Sequence, residues 1–245
     1  MGTNTDASPL PTLTVPARFN GPPESGNGGW VCGSVAAFVA DDGPVTVRLS
    51  SPPPLETTMT VHRDPHRTTA CDVYAGNVLV ATAATAGPGA LDELPMAPVD
   101  GRVARAAEGA YEGLTNHPFP TCFVCGTHRA DGLGLRPGPI AGDRERYAAA
   151  WQPTEMDPRL LWAALDCPGA WAVGIAGRAM VLGTMTARIT RLPQVGEDCV
   201  VMAWPRGGSG RKYFSGTALY GEDGTLAGHA ESTWIVVDPS QVRPG

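Results

Sequence analysis

The stretch DPRLLWAALDCPGAWAVGIAG, residues 157–177, decides the fold, because it predicts a long helix that is apolar on almost every side. Asp157 can cap this helix, and Pro158 can take its first position, where a backbone N–H is not needed. Pro168 is expected to kink the helix or to end its first part. A helix that is apolar all round is a buried one, so other elements are expected to wrap around it.

The segments after this helix predict an antiparallel sheet. Residues 183–204, GTMTARITRLPQVGEDCVVMAW, alternate apolar and polar side chains, turn, and alternate again, as half-buried strands do. In residues 212–237, KYFSGTALYGEDGTLAGHAESTWIVV, the letters GEDG predict a hairpin turn between two strands. About four antiparallel strands are therefore expected around the helix.

The first part of the chain repeats this order of elements, which indicates an internal duplication. Residues 27–38, NGGWVCGSVAAF, open with a glycine pair and predict a helix that ends near residue 39. Residues 43–64, GPVTVRLSSPPPLETTMTVHRD, begin with glycine and reach a proline about ten residues in, as residues 183–204 do. Residues 68–86, TTACDVYAGNVLVATAATA, continue the match. A buried helix wrapped by an antiparallel sheet is therefore expected twice.

Composition excludes several classes of protein. The 245 residues carry a formal net charge of -6 and a pI of about 5.3, which argues against a nucleic-acid binder. No window approaches the 18 or more apolar residues of a membrane span, so no membrane partner is expected. The first residues lack the basic and apolar regions of a signal peptide. The expected location is therefore the cytoplasm, with six reduced cysteines.

Three motifs resemble the hotdog-fold thioesterase superfamily, which includes phenylacetate-pathway and 4-hydroxybenzoyl-CoA thioesterase-like proteins. Residues 122–135, CFVCGTHRADGLGL, resemble the CxxCG…NPxGLGL opening of many members. Residues 162–173, WAALDCPGAWAV, resemble their central helix, and residues 186–197, TARITRLPQVGE, resemble the strand that follows. The resemblance covers roughly residues 120–238, and with fewer motifs residues 13–86.

This resemblance implies an α+β double hotdog, with two antiparallel sheets that are each wrapped around a long central helix. The two fused copies would replace the usual homodimer. Residues 13–90 would form an N-terminal hotdog domain, and residues 120–240 a C-terminal one. Residues 91–119 would be a linker, in which residues 102–113 predict a short amphipathic helix. A homodimer of two such chains is left open.

The resemblance also implies acyl-thioester chemistry on coenzyme A or acyl-carrier-protein substrates, with no cofactor other than the coenzyme A of the substrate. In such enzymes a backbone N–H at the start of a helix, usually in His-Gly-Gly, binds the thioester carbonyl. A carboxylate about eight residues further along acts as nucleophile or general base. The two groups of one site come from opposite subunits.

Each of the two helices carries one half of this equipment. The first has Gly28 with Asn27 before it, where the superfamily often has histidine, but eight residues beyond Gly28 stands Ala36. The second has the carboxylate Asp166, but eight residues before it stands Pro158, which has no N–H. We therefore expect one composite site per chain. Its roles would be oxyanion donor for the Gly28 N–H, polar orienter for Asn27, and base or nucleophile for Asp166.

Simpler interpretations of these residues exist. A glycine pair before a helix is also typical of a tight turn, and Asp166 could be a structural carboxylate. Gly29 and Trp162 are expected to contact the substrate, although a tryptophan in this helix is also typical of a core. In residues 205–214, PRGGSGRKYF, the basic side chains are expected to meet the phosphates of coenzyme A, unless the turn is only a solvated hairpin tip. These side chains are Arg206, Arg211 and Lys212.

Cys122 and Cys125 form a CxxC motif, which alone is a weak zinc signal. His117 and His128 flank it and could complete four ligands, but a turn with two packed thiols is the preferred interpretation, so no metal is expected. Two other functions stay open beside the thioesterase. One is a non-catalytic acyl-thioester binding protein or pseudoenzyme. The other is a biosynthetic dehydratase or cyclase, although neither helix holds the histidine of the hydratase pattern.

Overall fold

The computed structural model describes residues 10–40, 42–63, 69–93 and 95–242. Its strands form a single antiparallel sheet with the order β1-β3-β4-β5-β2-β8-β11-β10-β9-β7-β6. The eleven strands are β1 (Thr12–Leu13), β2 (Val45–Leu49), β3 (Met59–His62), β4 (Ala70–Ala75), β5 (Val78–Thr85), β6 (Gly138–Ile140), β7 (Asp143–Trp151), β8 (Met180–Ile189), β9 (Cys199–Ser209), β10 (Lys212–Tyr220) and β11 (Leu226–Val236).

The two halves of the sheet have the same order of strands, as the predicted repeat of elements requires. β1, β3, β4, β5 and β2 on one side correspond to β7, β9, β10, β11 and β8 on the other. The halves join where β2 pairs with β8, and the hydroxyls of Thr46 and Thr186 lie 2.8 Å apart at this seam. The predicted hairpin is also present, since β10 and β11 are antiparallel neighbours on either side of GEDG.

The expectation of two separate sheets is wrong, because hydrogen bonds between β2 and β8 make the sheet continuous. The expectation of two long helices is also wrong. The first helix, α1 (Gly28–Ala36), has only nine residues. Residues 37–39, which the sequence assigns to this helix, lie beyond its end. The long helix occurs once, in the second half.

That long helix, α3 (Pro158–Ala172), begins as the sequence predicts. The Asp157 side chain accepts a hydrogen bond from the Arg159 N–H at 2.8 Å, and Pro158 takes the first position. Of the two effects expected of Pro168, a kink or an end, the end is wrong, because α3 continues through Pro168 to Ala172. Burial on all sides offsets the lost hydrogen bond. None of the helices in the described ranges has both the length and the hydropathy needed to cross a bilayer.

The segment between the halves is more than a linker. Its helix α2 (Gly101–Ala107) lies on the face of the second half-sheet that points away from α3. A second, smaller core forms there between α2 and apolar side chains of β6, β7, β9 and β10. The second half-sheet is therefore covered on both faces.

The contact between α1 and α3 depends on two glycines of α1. A Cβ added to Gly29 would come within 2.4 Å of the Asp166 Cβ and 2.6 Å of the Trp162 carbonyl oxygen. A Cβ on Gly33 would come within 2.8 Å of the Trp162 side chain. Position 29 faces Asp166 and position 33 faces the earlier turn of α3, so the helices run antiparallel to each other.

Replacing Gly29 by alanine is expected to lower the free energy of unfolding by about 1–3 kcal/mol, because the new methyl meets backbone atoms that cannot move aside. Urea denaturation monitored by tryptophan fluorescence measures this. Gly109 is the matched control, since a Cβ there meets nothing within 4 Å and its alanine variant should stay within about 0.5 kcal/mol of wild type. Equal effects of the two substitutions would contradict the packing argument.

Candidate active site

Asp166 lies at the meeting point of the two helices and is only 2% exposed. Its Oδ2 accepts two hydrogen bonds from the start of α1, from the Gly29 N–H at 2.9 Å and from the Asn27 side-chain amide at 2.9 Å. The Asn27 Oδ1 in turn accepts from the Trp30 N–H at 2.9 Å and so caps α1. One asparagine therefore fixes both the helix start and the carboxylate.

Burial dominates the electrostatics of this carboxyl group. Removal from water raises the pKa of Asp166 to about 7, although the hydrogen bonds from Gly29 and Asn27 act in the opposite direction. A carboxyl group with a pKa near neutrality exists in both protonation states at physiological pH. It can therefore exchange a proton with a bound molecule, as a general base must.

The second oxygen of Asp166, Oδ1, has no hydrogen-bond partner among the described residues. Asp166 lines a cavity of about 680 Å³, together with Asn27 and Gly28. The other walls are mostly apolar and come from both halves of the chain, including the start of β8, the end of β11 and the proline-rich segment at residues 49–53. The cavity therefore has the size and the lining of a site for an apolar ligand, with the Asp166 carboxyl group in its wall.

The structure divides the expected roles of the glycine pair differently. The Gly29 N–H, expected to contact substrate, is bonded to Asp166 instead. Gly28 is the first residue of α1, so its N–H has no partner within the helix, and no described residue accepts a hydrogen bond from it. Gly28 also lines the cavity. The predicted role of the Gly28 N–H as a donor to a ligand carbonyl stays a prediction.

Trp162 lies outside the cavity lining. It is buried at the helix contact, where its side chain packs on Gly33 of α1. This is a core position, so the expected contact between Trp162 and substrate is not seen. The tryptophans that line the cavity are Trp171, the penultimate residue of α3, and Trp234 of β11.

The three basic residues of the β9–β10 turn fall into two groups. Arg211 is exposed and lines the cavity. Arg206 is ion-paired with Glu93 at 2.8 Å and with Glu231 at 3.2 Å, and it does not reach the cavity. Lys212 is exposed and also lies outside the lining. Only Arg211 is placed to meet the polar end of a ligand.

Sequence reasoning did not find the third cysteine of the site. The sulfurs of Cys122, Cys125 and Cys167 lie within 4.8 Å of one another. The two histidines that flank the CxxC motif, His117 and His128, do not join them. Both ring nitrogens of His117 bond backbone groups, Nε2 at the Cys125 carbonyl and Nδ1 at the Phe119 N–H, and His128 is exposed. Cys167 directly follows Asp166 in the sequence, which is the signal that could have indicated it.

Solved structures match the fold of this chain over almost its whole length. A conserved protein of unknown function with a hot dog fold, from Alicyclobacillus acidocaldarius, has a TM-score of 0.59 at 14% identity, with 93% of each chain covered. The chain has a hotdog fold. Acyl-CoA thioesterase II TesB2 from Mycobacterium marinum has a TM-score of 0.56 at 13% identity and covers 94% of this chain and 93% of its own.

A third match is the dehydratase domain of a mycocerosic acid synthase-like polyketide synthase. Its TM-score is 0.55 at 16% identity, with 94% of this chain and 92% of that chain covered. No family model matches the sequence, and no curated protein is similar to it. At these identities the matches establish the hotdog fold, while the reaction has to be argued from the site.

Proposed function

We propose that this hotdog protein hydrolyses an acyl thioester at one site between its two halves. The observation that carries the proposal is the buried Asp166, which lines a largely apolar cavity and whose Oδ2 is held by the start of α1 while its Oδ1 has no partner among the described residues. A carboxylate held in this way has one oxygen available for chemistry. The likeness to TesB2, an acyl-CoA thioesterase, supports the same substrate class.

In this mechanism Asp166 accepts a proton from a water molecule, and the water oxygen attacks the thioester carbon. The negative charge that develops on the carbonyl oxygen is stabilised by the Gly28 N–H and by the positive end of the α1 dipole. The carbon–sulfur bond then breaks, and the thiolate leaves with the proton returned from Asp166. Asn27 acts through Asp166, because its amide keeps the carboxylate turned toward the cavity.

Hydrolysis is tested with a panel of acyl-CoAs of increasing chain length, assayed for free thiol release. We expect release with at least one acyl chain that the apolar cavity can hold, using protein kept in chelator. If acyl-CoAs bind, as seen by calorimetry, but no thiol appears, the protein is a binding protein and not a hydrolase. If none binds or reacts, the proposal is overturned.

Replacing Arg211 by alanine is expected to raise the KM for acyl-CoA roughly ten-fold or more, because a hydrogen bond to a charged group is worth about 1.5–3 kcal/mol. The KM for the same acyl group on N-acetylcysteamine, which lacks the phosphates, should not change. Arg206→Ala is the matched control, since Arg206 is ion-paired away from the cavity. Equal KM changes for both thioesters would show that Arg211 does not read the coenzyme A phosphates.

The likeness to a dehydratase domain raises dehydration as a second candidate. Dehydration needs an acid and a base in one cavity, and His117 is the histidine in the lining. However, burial lowers the pKa of His117, and both of its ring nitrogens are engaged with backbone groups. This arrangement favours hydrolysis over dehydration.

A further inference from the structure

Three buried thiols meet at the wall of the cavity, and they come from distant parts of the sequence. Cys122 and Cys125 lie in the loop before β6, and Cys167 lies in α3. All three sulfurs are within 4.8 Å of one another, and the Cys122 and Cys167 sulfurs are 3.6 Å apart. No disulfide joins them. The structure therefore converges three soft donor atoms on one point.

The loop that holds Cys122 and Cys125 forms a tight turn. The turn is closed by the Gly126 N–H, which donates to the Cys122 carbonyl at 2.9 Å. A Cβ at position 126 would come within 2.5 Å of that carbonyl oxygen, so glycine is required there.

Side chains with N–H groups share the cavity with the three thiols. The Asn27 amide nitrogen lies 3.7 Å from the Cys167 sulfur and 4.0 Å from the Cys122 sulfur. The indole N–H of Trp171 is buried without a partner among the described residues, and Trp171 lines the same cavity as the three thiols. Donors of this kind around sulfur ligands are what metal sites use as their outer support.

We propose that Cys122, Cys125 and Cys167 bind a thiophilic divalent cation of the Zn²⁺ class. At a Zn–S distance of about 2.3 Å, tetrahedral geometry places two sulfurs about 3.8 Å apart, close to the spacing of Cys122 and Cys167. The three thiols lose their protons to solvent as the metal binds. The fourth position faces the cavity, which is also the entry path, since all three cysteines line it.

The fourth ligand is a small molecule from the cavity rather than a histidine. His117 has both ring nitrogens bonded to backbone groups. Within the described ranges, no histidine, cysteine or carboxylate joins the three cysteines as a fourth ligand. Water is the simplest occupant. This site goes beyond the proposed hydrolysis and does not depend on it, because no step of that mechanism uses a thiol.

The test is metal binding by the full chain, purified with a reductant and a chelator and then freed of both. Zn²⁺ is then added in excess, and we expect one equivalent per chain to remain after gel filtration, as measured by mass spectrometry of the metal. Co²⁺ in its place should give the sulfur-to-cobalt charge-transfer absorption of three thiolates. Failure of wild-type protein to retain Zn²⁺, or recovery of a Cys122–Cys167 disulfide after anaerobic reduction and purification, would overturn the proposal.

Variants assign the ligands. Cys167→Ser is expected to weaken Zn²⁺ binding by on the order of 10²-fold or more, whereas Cys71→Ser, a buried cysteine in β4, should leave it unchanged. Equal affinity in the two variants would contradict the site. If Cys167→Ser does not fold, the same comparison is made with Cys125→Ser, and the wild-type cobalt spectrum decides independently. Acyl-CoA hydrolysis measured in chelator fails or succeeds separately from this result.

Discussion

Replacing Asp166 by asparagine is expected to lower kcat/KM for the best acyl-CoA by about 10²- to 10⁴-fold, the usual contribution of a general base. Asparagine can still accept the hydrogen bonds from Gly29 and Asn27, so the helix contact is preserved while the proton acceptor is lost. The measurement is thiol release at saturating and subsaturating acyl-CoA, together with a circular dichroism spectrum of the variant.

Asp157→Asn is the matched control for this substitution. It makes the same chemical change in the same helix, at a partly exposed residue that caps α3 and does not line the cavity. Its stability should fall slightly, since asparagine also caps well, while its kcat/KM should match wild type. Retention of full hydrolysis by Asp166→Asn would remove Asp166 from the mechanism.

The Asp166→Asn substitution is also expected to stabilise the fold at high pH. The pKa of Asp166 is about 7 in the folded protein, while an exposed aspartate has a pKa near 3.9. Each pH unit between the two values corresponds to about 1.4 kcal/mol, so the buried charge costs the folded state roughly 4 kcal/mol above pH 7. Asparagine carries no charge at any pH and avoids this cost.

The change of stability with pH follows from the protons that the folded and unfolded states bind. Between pH 4 and pH 7 the folded state holds a proton that the unfolded state has released, so the contribution of Asp166 to stability is fully present below pH 4 and is lost as pH rises through 7. Urea denaturation of both proteins in chelator, at pH 5 and pH 8, measures the difference. The free energy of unfolding of Asp166→Asn should rise relative to that of wild type between pH 5 and pH 8. A difference between the two proteins that does not change with pH would show that the pKa of Asp166 is not raised.

Local patterns predicted the elements of the fold but not how the elements join. Alternation of side chains located β8, β9, β10 and β11, and turn chemistry located the hairpin between the last two. Strand β7 was missed, because it begins with the charged letters DRER. The pairing of β2 with β8 joins residues far apart in the sequence, and no local pattern encodes that register. The expected end of the helix at Pro168 is also a local preference, and the burial of α3 outweighs it.

The site was predicted in outline, because the glycine pair and the carboxylate have recognisable spacings. Sequence reasoning expected Asp166 to face Gly28, and the structure places it against Gly29, one residue further along α1. Which N–H of a helix start meets a given side chain depends on how two helices cross, and a spacing rule does not contain that angle. The cysteine cluster was missed because Cys167 and Cys122 are 45 residues apart in the chain.

The seam between β2 and β8 has a consequence for how this molecule can change. In an assembly of two identical copies every substitution appears twice, so one helix would have to carry both the glycine pair and the carboxylate. Here the two copies are separate stretches of one chain, and a mutation alters only one of them. The donor helix could keep small residues to admit its neighbour while the neighbour kept a bulky tryptophan. Either half can therefore be redesigned alone.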